Sequence, residues 1–303
     1  MPIATARSAE MRETVKGHLA MLVFSALVAG SFALGALAAN AIAPVAFTAL
    51  RFALAAVLIG VASLVTGGVP ARNFAAPWRY LALGGLFAAY FVLMFEGLKT
   101  AAPVSAAAVF TLTPILSAGF GWLILRQVTT ARMAAALSIG AAGALWVIFR
   151  GDLAAFLRFD VGRGEAVYFL GCAAHAAYVP LVRRLNRGER ATVFTFGTLG
   201  AGTLVLTVAG WGAIRATDWA ALPGIVWVTL AYTTIFATAA SFVLTQYAAL
   251  RLPSAKVMAY TYLTPAWVIL WQVALGHGAP ALRVAIGVAA VAGALWLLLK
   301  DEG

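Results

Sequence analysis

Runs of roughly 20 apolar residues, each closed by glycine, proline or charge, succeed one another along nearly the whole of this chain. Nothing constrains the fold more. A segment of that length is what crosses bilayer hydrocarbon, and a soluble domain has no use for a series of them. Composition agrees: 63% of the 303 residues are hydrophobic and only 10% are charged, against about 25% charged in a typical soluble domain.

The breaks delimit ten predicted spans: Gly17–Ala39, Pro44–Val65, Trp78–Leu98, Pro103–Leu125, Ala131–Phe149, Glu165–Val182, Thr192–Trp211, Gly224–Ala249, Ser254–Leu275 and Pro280–Leu299. The runs lack the alternation of an outer-membrane strand, and a spanning helix satisfies its own backbone, so the expected class is an all-α integral membrane protein, one unit over residues 1–303. The N-terminal apolar run, Leu19–Ala39, is too long for a signal-peptide core and is expected to persist as the first span.

Of the 21 Lys and Arg residues, fourteen fall on one side if the N-terminus is cytoplasmic: Arg7, Arg12, Lys16, Arg72, Arg79, Arg126, Arg132, Arg183, Arg184, Arg187, Arg190, Arg251, Lys256 and Lys300. Six fall opposite, and Arg51 lies inside the second span. The bias predicts both termini in the cytoplasm of a cell inner membrane. The net charge of +11 is thereby accounted for by loops beside anionic lipid, since no basic face with interleaved aromatics suggests nucleic acid. Trp78, Trp211, Trp219 and Trp296 sit near span ends, where indoles favour the headgroup layer. The connection Arg150–Gly164, with Phe156, Leu157 and Phe159 among charges, is suited to lie on the membrane surface.

Two segments recur. Ala142-Gly143-Ala144-Leu145-Trp146 returns as Ala292-Gly293-Ala294-Leu295-Trp296, and Leu112-Thr113-Pro114 returns as Leu263-Thr264-Pro265, at offsets of 150 and 151. Both pairs fall on corresponding spans. Five spans per repeat force the second half to enter from the other face, so residues 17–150 and 164–300 are expected to form inverted repeats around a central cavity, a plan common in secondary transporters.

Pro114 and Pro265 lie in mid-span, where each deprives the carbonyl four residues earlier, that of Phe110 or Thr261, of its amide partner. Such acceptors serve a packing kink or a water-filled cavity. Tyr168, Cys172, His175 and Tyr178 share a face of the sixth span, and Thr234, Thr238, Ser241 and Thr245 form a hydroxyl stripe on the eighth, suited to a cavity or to helix packing. Tyr90 and Tyr260 are better cavity candidates than neighbouring phenylalanines because a buried phenol needs a partner.

Ionisable groups inside spans are few. Lys256 either snorkels to the surface or attracts a carboxylate, Arg51 and Glu96 are structural or binding, and His175 is central with an ordinary pKa near neutrality. No central Asp or carboxylate pair is present to couple transport to protons or sodium, and no Gly-rich phosphate loop suggests nucleotide drive.

Gly30-Ser31-Phe32, Pro44 followed by Arg51-Phe52, Gly97-Leu98-Lys99-Thr100 and the two Leu-Thr-Pro segments, in this order, resemble the EamA-type drug/metabolite transporter superfamily over nearly the full chain. Within it, His175-Ala176-Ala177-Tyr178 and Tyr90 resemble the YddG-type amino acid exporters. The resemblance implies a cavity lined by Tyr90, Thr111, Thr113, His175 and Thr261. That subgroup tends to carry bulky aromatics where this chain has Thr111, Thr113 and His175, which implies a roomier site.

The expected function is export of amino acids or similar small metabolites by alternating access, without a cofactor or metal. Hydroxyls and the Phe110 and Thr261 carbonyls would hold an ammonium, Lys256 would meet a carboxylate, and Tyr90 with Tyr260 would stack on the side chain. The alternatives are a sugar-phosphate or nucleotide-sugar exchanger, which wants two or more cavity cations, and a membrane-embedded enzyme. For the latter, His18, His175 and His277 are the only histidines and no HExxH or Ser-His-Asp set accompanies them.

Overall fold

A computed structural model describes the backbone of residues 2–158 and 160–299 and the side chains of 12–158 and 160–298. The side chain of Arg7, and Phe159 and Lys300, named above, lie outside the described residues. The described chain is helical and strand-free: α1 Pro2–Ala38, α2 Pro44–Val65, α3 Trp78–Gly97, α4 Pro103–Phe110, α5 Thr113–Leu125, α6 Ala131–Ile148, α7 Leu153–Leu157, α8 Arg163–Leu185, α9 Ala191–Ala216, α10 Gly224–Thr234, α11 Ser241–Ala249, α12 Ser254–Ala259, α13 Thr264–Ala274 and α14 Leu282–Leu299.

Among the described residues, eight helical stretches are long and apolar enough to cross a membrane, the first being Arg12–Ala38 and the last Gly224–Ala249. The bent run of α12 and α13 and the shorter apolar helix at Leu282–Leu298 complete the bundle. Proline sets several starts: Pro44 and Pro103 open α2 and α4, where a missing amide costs nothing.

Inside a span, the same residue forces a restart. At Pro114 the chain closes α4 at Phe110 and begins α5 at Thr113, and at Pro265 it passes through a 3-10 turn, Tyr260–Leu263, before α13 begins. A third irregularity carries no proline. Between α10 and α11 the helix widens into a π turn over Ile235–Ala240, a form that holds an extra residue and is frequent at functional sites.

The main contacts pair α2 with α9, α3 with α8 and α9, α6 with α14, and α5 with α8 and α12, while α1 packs on α10, α11 and α13. Glycine permits the closest of them. A Cβ on Gly84 would lie 2.5 Å from the Gly202 nitrogen, and one on Gly97 would lie 2.6 Å from the Gly164 oxygen. In lipid, where apolar burial gives helices no reason to associate, such close backbone approach supplies the packing contact instead.

The connection after α6 contains α7, capped by Asp152, whose carboxylate accepts from the Ala154 and Ala155 amides at 2.8 and 3.1 Å. Those two amides hold its pKa below the usual value. Leu153, Phe156 and Leu157 of α7 are exposed, as a segment resting on lipid requires.

Candidate functional site

α3, α4 and α8 meet in an aromatic cluster at the middle of the bundle. The His175 ring lies parallel to Phe110 at 5.4 Å between centroids with 7° between planes, 4.5 Å from Tyr90, and edge-on to Phe87 at 5.1 Å. Tyr178 packs on Phe87 at 3.9 Å and accepts a hydrogen bond from Gln246 Nε2 at 2.9 Å. The Tyr90 and Tyr168 hydroxyls share one at 3.2 Å. Among the described residues, neither ring nitrogen of His175 has a partner, although His175 is buried.

The two broken helices meet in the same core. The Thr113 and Thr261 hydroxyls lie 3.2 Å apart, joining the start of α5 to the 3-10 turn before α13. Thr113 also donates to the Phe110 carbonyl at 2.7 Å, so the acceptor orphaned by Pro114 already has a donor. Thr111 turns its hydroxyl back onto Ala108 at 2.6 Å. In the other half the local solution differs: Thr264, in register with Thr113, leaves its hydroxyl without a partner.

Two expectations need correction. The first is the open centre: Tyr90, Phe110, Thr111, Thr113, His175, Tyr178, Ser241, Tyr260 and Thr261 are all buried, at most 5% exposed. Interlocked rings of Phe87, Phe91, Phe110, Tyr178 and Phe242 occupy the space in which water was expected. The second is the pairing of Tyr90 with Tyr260. Tyr260 instead shares a hydrogen bond with His18 Nδ1 of α1 at 3.1 Å, because the 3-10 turn aims it at that helix.

The hydroxyl stripe of the eighth span is buried along its length, with the π turn inside it. Thr238 receives the Nε of Arg51, Ser241 makes only a 3.5 Å contact to the Thr238 carbonyl, and Thr234 and Thr245 have no partner. Arg51 is fully buried, donates Nη2 to the Ala237 carbonyl at 2.9 Å, and lies over Phe91 at 3.8 Å from the ring centroid. Its Nη1 is unpartnered. Sequence reasoning weighed Arg51 but missed Gln246, Phe87 and Phe242; a glutamine in an apolar run was the available signal for the first.

Clefts approach this closed middle from both ends of α8. One, of about 230 Å³, is lined by Gln127, Thr129, Arg183 and Lys256 among others, so Lys256 belongs to an approach and not to the aromatic cluster. The other, of about 410 Å³, is lined by Val109, Leu112, Leu145, Ile148, Glu165 and Phe169. Arg183 and Glu165 are about 27 Å apart along α8 at 1.5 Å per residue, with His175 between them.

The EamA-like transporter family matches residues 15–149 and again 162–300. The uncharacterized transporter YyaM of Bacillus subtilis (strain 168) is 24% identical over 281 residues, covering 92% of each chain. A solved crystal structure superposes with a TM-score of 0.71 over 97% of this chain and 100% of that one, at 23% identity, which shows a shared fold.

Proposed function

Because the chain belongs to the EamA-like transporter family, we propose that it exports amino acids or similar small metabolites across the inner membrane by alternating access, using residues 17–150 and 164–300 as inverted five-span repeats with both termini cytoplasmic. The observation that carries this reading is the meeting of two interrupted helices at Thr113 and Thr261, in a closed core flanked by a cleft at each end of α8. Alternating access needs a state closed at the centre, from which either cleft can deepen.

Helix pairing supports the repeats. Exchange of the two halves turns α3 on α8 into α10 and α11 on α1, and α5 on α8 into α13 on α1; each counterpart exists. The two successive family matches have nearly the extents expected of the repeats. For the solute, Tyr90, Phe110, His175 and Tyr178 would stack on a side chain, while Thr113, Thr261 and Ser241 supply hydroxyls. Lys256 would attract a carboxylate at the cytoplasmic cleft.

Counterflow in proteoliposomes, with amino acids, sugar phosphates and organic cations at two pH values, tests the reading. Amino acids are expected to exchange, and Tyr90→Ala and His175→Ala to lower flux about tenfold, the equivalent of about 1.4 kcal/mol, without loss of folding. Unchanged flux in both variants removes these residues from the site. A sugar-phosphate exchanger is the second reading, favoured by the two cations, Arg183 and Lys256, that line one cleft. It takes precedence if phosphorylated sugars and not amino acids raise the melting temperature.

A further inference from the structure

We propose that the Glu165 end of the bundle holds a second binding site, which takes a zwitterionic α-amino acid with an apolar side chain as it leaves. The inference rests on the amino acid reading above and adds to it a site that the central cluster does not include. Glu165 stands in the first turn of α8, only 6% exposed. One carboxylate oxygen accepts from the Ser105 hydroxyl at 2.7 Å, and no Lys or Arg forms an ion pair with it among the described residues. A carboxylate offers about four acceptor positions, and a buried one is stable when a cation shares it.

Glu165 lines two clefts of opposite character. The apolar one carries Val109, Leu112, Leu145, Ile148 and Phe169. The polar one, of about 300 Å³, carries Arg150, Asp152, Arg158, Asp160 and Arg283 beside it. Its three arginines outnumber Asp152 and Asp160, and Asp152 also caps α7, which leaves a guanidinium charge over for an incoming anion.

The three parts of an apolar amino acid therefore have three separate receptors: the ammonium at Glu165, the α-carboxylate at the Arg150 and Arg283 side, and the side chain in the apolar cleft. Glu165 and Phe169 of the apolar cleft stand on α8, the helix that carries Tyr168 and His175 of the central cluster. A solute leaving the core along α8 would meet this site on its way out.

The test uses the full chain in vesicles of phosphatidylglycerol, with leucine outside and labelled leucine inside. External leucine is expected to stimulate efflux at a concentration at least tenfold higher in Glu165→Gln than in wild type, with a smaller rise in Glu165→Asp, while half-saturation by internal leucine stays in place. N-acetylleucine, leucine methyl ester and glycine, which lack one receptor's group each, are expected to compete at least tenfold less well from outside. Equal competition by N-acetylleucine, or an external value unmoved in both Glu165→Gln and Arg283→Met, overturns the proposal.

If ethanolamine phospholipid in the vesicle abolishes the effect of external leucine, the clefts hold a lipid headgroup and the proposal also falls. Should no amino acid move at all, the transport reading fails separately. The site is then judged by binding of labelled leucine to His175→Ala in phosphatidylglycerol discs: binding that Glu165→Gln removes upholds it, and no binding sinks it.

Discussion

The two ends of α8 are closed by different means. At the Arg183 end the helices are tied by charge: buried Arg79 meets Glu189 at 2.8 Å and donates to the Leu185 carbonyl at 2.6 Å. Arg190 donates to the Thr66 and Gly68 carbonyls at 2.8 and 2.7 Å, Arg184 to Ile124 at 2.8 Å, and Arg251 meets Glu13 at 2.8 Å. Several of these arginines cover the C-terminal carbonyls of α2, α5 and α8, where the helix dipole favours a cation. The arginines of these loops thus fasten one helix end to another.

Among the described residues, no ion pair joins one helix to another at the Glu165 end. Backbone approach at Gly97 and Gly164 and the Ser105 to Glu165 hydrogen bond hold it, and its ion pair, Lys99 with Glu96, lies within one turn of chain. Surface fit can part and reseal with little electrostatic cost, whereas separated charges must find water or new partners. The difference teaches that the two ends of one bundle need not be equally hard to separate.

Breaking the charged end is expected to have the largest effect. Arg79→Ala leaves Glu189 buried without its cation and should cost about 3–5 kcal/mol of unfolding free energy, read by denaturant titration in detergent. Burial raises the Glu189 pKa, but hydrogen bonds from Arg79 and the Arg187 amide outweigh it and hold the group below the usual carboxylate value. Its stabilising contribution is complete above that value and disappears as pH falls through the lower folded value. Wild type should therefore lose stability on the acid side by a margin that Glu189→Gln does not show.

At the other end, Gly164→Val sharpens the contrast. A Cβ there would lie 2.6 Å from the Ala101 nitrogen, so about 1–3 kcal/mol of overpacking strain is expected, along with faster modification of a cysteine placed at Ser105. Unchanged labelling would show that glycine contact does not keep this end shut. The smallest effect belongs to Glu13→Gln, whose pairs with Lys16 and Arg251 are partly exposed; the denaturant midpoint is expected to stay at its wild-type position. A shift as large as that of Arg79→Ala would count this network among the ties that hold the charged end.

Much of this was legible in the apolar runs. The bounds of α2, of the α4 to α5 run and of the α10 to α11 run agree with those read from glycine, proline and charge, because helix termini answer to local chemistry. The restarts at Pro114 and Pro265 were legible for the same reason. What was not legible depends on the rotation of one helix against another. Glu189 finds Arg79 across 110 positions and His18 finds Tyr260 across 242, and periodicity says nothing of either. The spacing of Thr234, Thr238, Ser241 and Thr245 suited an inward face, and all four are buried, but nothing in it announced the π turn among them.

That winding has a further consequence. The π turn over Ile235–Ala240 stores slack in a rod that otherwise transmits rotation rigidly, and Arg51 grips it through Ala237 and Thr238. Tightening it to α geometry would swing everything beyond, Ser241 and Gln246 included, through about 100° for each residue taken up. Arg51 of α2 therefore bears on the segment of this span at which such a change of winding would begin.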